Sequence, residues 1–353
     1  MTPAASLRVG LMGGAVLSLV LGLSGGFARF GLTPAPATAI EFHGALMICG
    51  FFGTLVSLER AVASGRSAAF AVPAAAILGV LSLLMDQPAF GASAFFLAGI
   101  GLTTLTAIAA FQLPTLFTTI MTLGAALWVV GSGLWLAGQS ISDITYIWLC
   151  FLLLTIASER IELSRLMESS PGARVLLGGI VLVLLAALAL GQPWNGSLLF
   201  SLAIAALAVW LFAHDIGRRT IRIAGLPRFS AACLLSGYGW LLVAAAVLAL
   251  WPPDVSSAGH DAAVHTIALG FVLSMVFAHA PIILPAVARA PIHYTPALYL
   301  PAAMLQLAVV LRVVGDIADR PDVLPVSAWV TVASILIYAL LLISTAWKKQ
   351  PSR

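Results

Sequence analysis

The chain is a succession of long apolar runs separated by short clusters of Pro, Gly and polar residues: LTPAPAT, DQPAFG, GQPWNG, WPPDVSSAGHD and DIADRPDV. Twelve runs are legible, near 9–28, 38–58, 68–85, 91–111, 115–137, 144–160, 173–190, 197–214, 230–250, 262–285, 294–313 and 326–347. Each approaches the roughly 20 residues that carry a helix across a hydrocarbon core. The pattern predicts an all-α polytopic integral membrane protein of twelve transmembrane helices, forming a single transmembrane domain over 1–353. The first run is longer than a signal-peptide core and is read as a retained helix. The loops are short, so no soluble domain is inserted, and any chemistry must sit within the bilayer or at its two faces.

Composition sharpens this picture. Of 353 residues, 61% are hydrophobic and 8% are charged, against about a quarter charged in a soluble domain. Mean hydropathy is +1.08. A soluble enzyme and a disordered chain are both excluded. The three cysteines, Cys49, Cys150 and Cys233, all lie inside apolar runs. An odd number with none in a polar loop argues against a disulfide framework.

The net charge of +4 is a topology signal before it is anything else. With the N-terminus inside, fourteen of the 17 Lys and Arg fall on the cytoplasmic side: Arg8, Arg60, Arg66, Arg160, Arg165, Arg174, Arg218, Arg219, Arg222, Arg228, Arg289, Lys348, Lys349 and Arg353. Arg29, Arg312 and Arg320 fall on the other. This positive-inside bias predicts twelve crossings with both termini cytoplasmic. It also accounts for the basic balance without nucleic acid; the RRTIR stretch is a loop anchor beside the lipid bilayer.

Ionisable groups inside spans are costly and mark candidate sites. Span two carries Glu41 and His43, and ends in Glu59–Arg60. Span six ends in Glu159–Arg160 and Glu162. Span ten carries His260, His265 and His279. Counted from the predicted starts of the runs, His43 and His265 lie five and three residues in, within a turn or two of one surface. Two imidazoles at one depth suit the axial ligation of a non-covalent b-type haem. The same pair suits copper if Met47 or His260 joins as a third ligand. His265 and His279 cannot share one metal, since 14 residues of helix put them about 21 Å apart; His279 is a candidate for a second site, with Met275 between the two. Beside these readings stand bland ones. A lone intramembrane His is an interhelical hydrogen-bond partner. His279 serves carbonyls freed by Pro281 and Pro285. His214, His260 and His293 are solvated loop residues, and Met47 and Met275 are packing. The Glu59–Arg60 and Glu159–Arg160 pairs are interfacial anchors, cross-paired in the bundle. The shared acid–Arg endings of spans two and six, with span ten as third member, hint at pseudo-threefold four-helix repeats.

Twelve helices with a His on span two and another on span ten resemble the catalytic subunit of haem–copper oxidases and nitric oxide reductases. The nearer resemblance is to the NnrS family, haem- and copper-containing membrane proteins linked to nitric oxide stress. It rests on His43, Met47, Gly50 and Phe51 in the early span, and on His265, Gly270 and Met275 in the later one. The resemblance implies that His43 and His265 are cofactor ligands, that haem b or copper is bound, that nitric oxide is a gas ligand, and that the membrane is a bacterial cytoplasmic (inner) membrane. Glu41 and His260–Asp261 would orient an imidazole or a haem propionate, and Arg29 and Arg312 would pair with propionates. The chain departs from the pattern in spans six and seven, which have no histidine, so an oxygen-reducing binuclear centre is not expected. Glu41 also stands where the NnrS pattern has a second histidine.

Two other functions fit the layout. One is a twelve-helix secondary transporter, to whose inner loops Asp215, Gly217, Arg218 and Arg219 bear a faint likeness. The other is a non-catalytic assembly protein of a respiratory complex.

Overall fold

The computed structural model describes residues 3–164, 170–191, 195–253, 256–288 and 292–346. Arg165, Arg289, Lys348, Lys349 and Arg353, which carry part of the charge bias, lie outside the described residues. The described residues form helices and no strand. Twelve of the helices are long and apolar enough to cross a bilayer: Ser6–Arg29, His43–Ser64, Ser67–Leu84, Pro88–Gln112, Leu116–Leu136, Ile141–Leu163, Pro171–Leu190, Gly196–His214, Leu226–Leu250, Ser257–Pro285, Pro296–Ile317 and Pro321–Ala346. They are called spans one to twelve. The number of crossings and most of their ends agree with the apolar runs, because in hydrocarbon a chain can satisfy its own amides only as a helix. Spans two, six and ten, the members of the suspected repeat, have the largest buried shares.

The chain divides into two compact units, 1–159 and 160–353. In the first, span three packs on four, four on five, and one on two. Glycines let these helices close up. A Cβ at Gly79 would lie 2.7 Å from the Phe95 ring, and one at Gly99 would lie 3.1 Å from the Val129 backbone. Span five meets six through Trp128 stacked on Phe151 (5.2 Å) and Trp148 edge-on to Trp135 (5.8 Å). In the second unit, eleven packs on twelve, eight on seven and nine, and nine on ten.

Two segments depart from α-helix. Leu46–Phe52 in span two and Thr266–Leu273 in span ten are π-helices. Such helices are rare, usually a single turn, and concentrated at functional sites. Each begins within a turn of a histidine, His43 or His265. The widened coil in span two places the Leu46 carbonyl where Ser18 of span one donates to it at 2.8 Å. Nothing in the sequence signalled this geometry.

The starts of these two spans also differ from expectation. A short helix, Ala37–Glu41, precedes span two, and the chain breaks at Phe42 (φ −98°, ψ 23°), so His43 is the first residue of its helix. Span ten starts earlier than its hydropathy suggests. Ser256 caps it by accepting from the Gly259 amide at 2.9 Å, so the polar residues of SAGHD are helical and His265 closes its ninth position. The near-equal setbacks read from hydropathy are therefore not a property of the helices. Capping and a backbone break, which hydropathy does not see, set these ends.

Candidate functional site

In the first unit His43 stands at the mouth of span two. Its Nδ1 lies 2.6 Å from the Gly22 carbonyl of span one. A carbonyl only accepts, so Nδ1 carries the proton and Nε2 the lone pair, the form in which an imidazole ligates a metal. Gly26, one turn on from Gly22, makes room for the ring: a Cβ there would lie 3.2 Å from Cε1. Met47 packs at the same place, its sulfur 2.5 Å from where a Gly22 Cβ would stand. Arg29 holds the approach to the span by donating from Nη2 to the Ile40 carbonyl at 2.8 Å. Glu41 is exposed.

In the second unit His265 repeats the arrangement. Its Nδ1 lies 2.8 Å from the Asp261 carbonyl one turn earlier, again leaving the lone pair on Nε2. The Asp261 side chain accepts from Arg312 of span eleven at 3.0 Å, and Arg312 also donates to Asp316 at 2.8 Å. Arg312 thus has two carboxylate partners within the protein. His260 lies half-buried in the first turn of span ten. Met275 is fully buried, its methyl seated in the notch that Gly237 leaves in span nine.

A third cluster was not foreseen. Arg160, at the end of span six, is buried with Asp215, which follows span eight. Nε donates to Oδ2 at 2.7 Å and Nη2 to Oδ1 at 3.2 Å. Tyr238 of span nine donates to Oδ2 at 3.0 Å, and the Gly217 amide donates to Oδ1. Arg160 Nη1 reaches His279 Nε2 at 2.8 Å. A guanidinium cannot accept, so Nε2 is the acceptor and the proton is on Nδ1. The lone pair that a metal would need is engaged here, so the site geometry gives His279 a place in this charged network. From the sequence, Arg160 reads as an interfacial anchor and Asp215 as a loop residue. Their fate depended on which helices meet. The one available hint was an Asp directly after an apolar run, next to His214 and two residues before Gly217.

The remaining polar pairs are simpler. In the first unit Arg60 bonds both Glu59 and Glu159, the latter at 3.3 Å, and touches Met121 of span five. The cross-pairing of the acid–Arg endings thus holds for Arg60 with Glu159, whereas Arg160 turns to Asp215. His214 stacks on Trp210, and His293 approaches the Thr345 carbonyl at 3.3 Å. Among the described residues no three His, Cys, Asp or Glu side chains gather as a metal site.

A search of curated proteins and of solved structures returned no significant match. One family model matches residues 8–347, nearly the whole chain, and its description is a domain of unknown function, DUF8744. The twelve-helix unit described above is therefore what that model covers, and the chain belongs to the DUF8744 family.

Proposed function

We propose that this chain is a haem-b-binding membrane protein with His43 and His265 as ligands, of the NnrS-like type that meets nitric oxide or serves membrane redox metabolism. One observation carries the reading. Two spans each hold an imidazole with Nδ1–H tied to a backbone carbonyl, and each runs directly into a π-helix. Fixing the tautomer and the ring plane in this way is how proteins prepare a ligating histidine. Haem is preferred to copper because imidazole ligation suffices for it, whereas copper calls for a further ligand such as Met47 or His260. Haem would supply the redox and gas-binding chemistry; the protein would supply ligands and a dry surrounding. The charge bias supports cytoplasmic termini, and the NnrS resemblance supports a bacterial inner membrane.

Protein purified from haem-replete cells should show a b-type Soret band. His43→Ala and His265→Ala should each weaken or abolish it while the chain stays folded. A colourless wild-type protein would sink the reading.

A second reading, a proton-coupled secondary transporter, is favoured by the Arg160–Asp215–Tyr238–His279 network, since buried ionisable groups in a bilayer commonly mark ion pathways. Vesicle uptake driven by a pH gradient, lost on Asp215→Asn in a protein without haem, would select it.

A further inference from the structure

Buried hydroxyls in this protein nearly always find a carbonyl. Ser57 donates to Thr54, Thr106 to Leu102 and Ser158 to Thr155. Among the described residues, Thr54 Oγ1 in span two and Ser132 Oγ in span five do not. Both side chains belong to residues with no exposure at all. The same is true of two indoles, Trp128 in span five and Trp148 in span six, whose N–H groups reach no oxygen acceptor. In the second unit Trp210 donates to the Ala173 carbonyl at 2.9 Å and Trp240 to Gln306 at 2.6 Å.

These four groups are neighbours. Trp128 and Ser132 lie one turn apart on span five and both hydrogen-bond the Cys49 thiol of span two, a weak acceptor. Trp128 also leans on Gly53, the residue before Thr54. Trp148 Nε1 sits over Gly131, the residue before Ser132. Where spans two, five and six pack together, four buried donors thus reach no oxygen acceptor, and two of them have only a thiol. Each unmet donor carries a desolvation penalty, and in hydrocarbon no solvent relieves it.

We propose that this cluster is a site for ordered water, held inside the first unit between spans two, five and six. The donor set selects the ligand. An indole N–H only donates, so the ligand must offer lone pairs; a hydroxyl and a thiol also accept, so it should offer protons as well. Water does both, and buried water commonly makes about three hydrogen bonds to such groups. An anion would call for a cation, and none of the five side chains is charged. An apolar ligand would leave every donor unmet. The same three spans end together in the Glu59–Arg60–Glu159 cluster with Met121, whose charged side chains stay partly exposed, at 26%, 20% and 17%.

The test uses the full chain in lipid nanodiscs and X-ray hydroxyl-radical footprinting, in which water bound beside a side chain labels it even where bulk solvent does not reach. Cys49, Trp128 and Trp148 should be labelled well above Trp210, an indole already bonded to a carbonyl. Labelling of the two indoles no greater than that of Trp210 overturns the proposal. Thr54→Val and Ser132→Ala each keep the shape of the site and remove one hydroxyl. A water-bonded hydroxyl predicts a fall in melting temperature of about 2–4 °C for each. A rise in melting temperature for both, as expected when an orphaned polar group is deleted, also overturns it. Neither readout depends on haem.

Discussion

The two units solve the same problem, holding helices together where no hydrophobic effect helps, by different means. The first relies on close approach. Gly14 admits Ile77, Gly50 admits Val80, Gly53 admits Trp128, Gly101 admits Val72 and Gly131 admits Trp148. The second uses such notches too, at Gly237, Gly270 and Gly315, and adds side chains that reach across to backbone carbonyls: Ser201 to Ala245, Ser230 to Ala278, Ser334 to Pro301 and Tyr338 to Phe277, at 2.6–2.8 Å. Both devices are familiar glues between membrane helices. The difference has a consequence. Close approach fixes volume but says nothing about polar atoms, and the first unit leaves indole and hydroxyl donors unmet. Cross-bonding fixes polar atoms, and the second unit can bury an Arg–Asp pair with a Tyr and a His around it.

Substitutions that attack each device separately would break or sharpen this contrast. The largest effect is expected in the second unit. Asp215→Ala strands the Arg160 guanidinium in a buried site, a loss of about 3–5 kcal/mol. Size-exclusion of detergent-solubilised protein should show aggregated or poorly recovered material, whereas a normal monodisperse peak would mean that the network contributes little. Tyr238→Phe removes one donor from the Asp215 carboxylate and leaves the others, so it should cost about 1.5–3 kcal/mol in thermal unfolding. In the first unit Gly131→Ala places a methyl 2.5 Å from the Trp148 ring. A large indole cannot swing aside cheaply, and overpacking of this kind costs about 1–3 kcal/mol. Ser201→Ala, which deletes one cross-helix bond of the second unit, should cost about 0.6 kcal/mol. At the bottom of the scale stands Gly178→Ala in span seven. No atom lies within 4 Å of the added Cβ, so helix propensity alone acts, with a gain of up to about 1 kcal/mol. If Gly131→Ala and Gly178→Ala behaved alike, the close-approach account of the first unit would fail.

How far the sequence reaches is visible in particular residues. The twelve crossings were legible because an apolar run of spanning length has a single structural solution in hydrocarbon. His43 and His265 stood out because ionisable groups are rare in such runs, although their setbacks within the helices were misjudged. Phe42 breaks one helix and Ser256 caps the other, and both act through local hydrogen bonding. The π-helices were invisible: LMICGFF and TIALGFVL read as ordinary apolar helix. Their neighbours fit the wider coil, with Ser18 bonding the Leu46 carbonyl and Trp240 lying against Gly270. The Arg160 network was invisible for another reason. It joins residues from positions 160 to 279, and no spacing rule links them.

The amino-acid order by itself determined that this chain is a bundle of twelve bilayer-length helices, because the burial of backbone amides in lipid is a local, one-dimensional requirement. Which donors met acceptors was decided by the tertiary structure. A hydrogen bond needs two atoms within about 3 Å, and only the packing of particular helices brought Arg160 to Asp215 while leaving Trp148 with none.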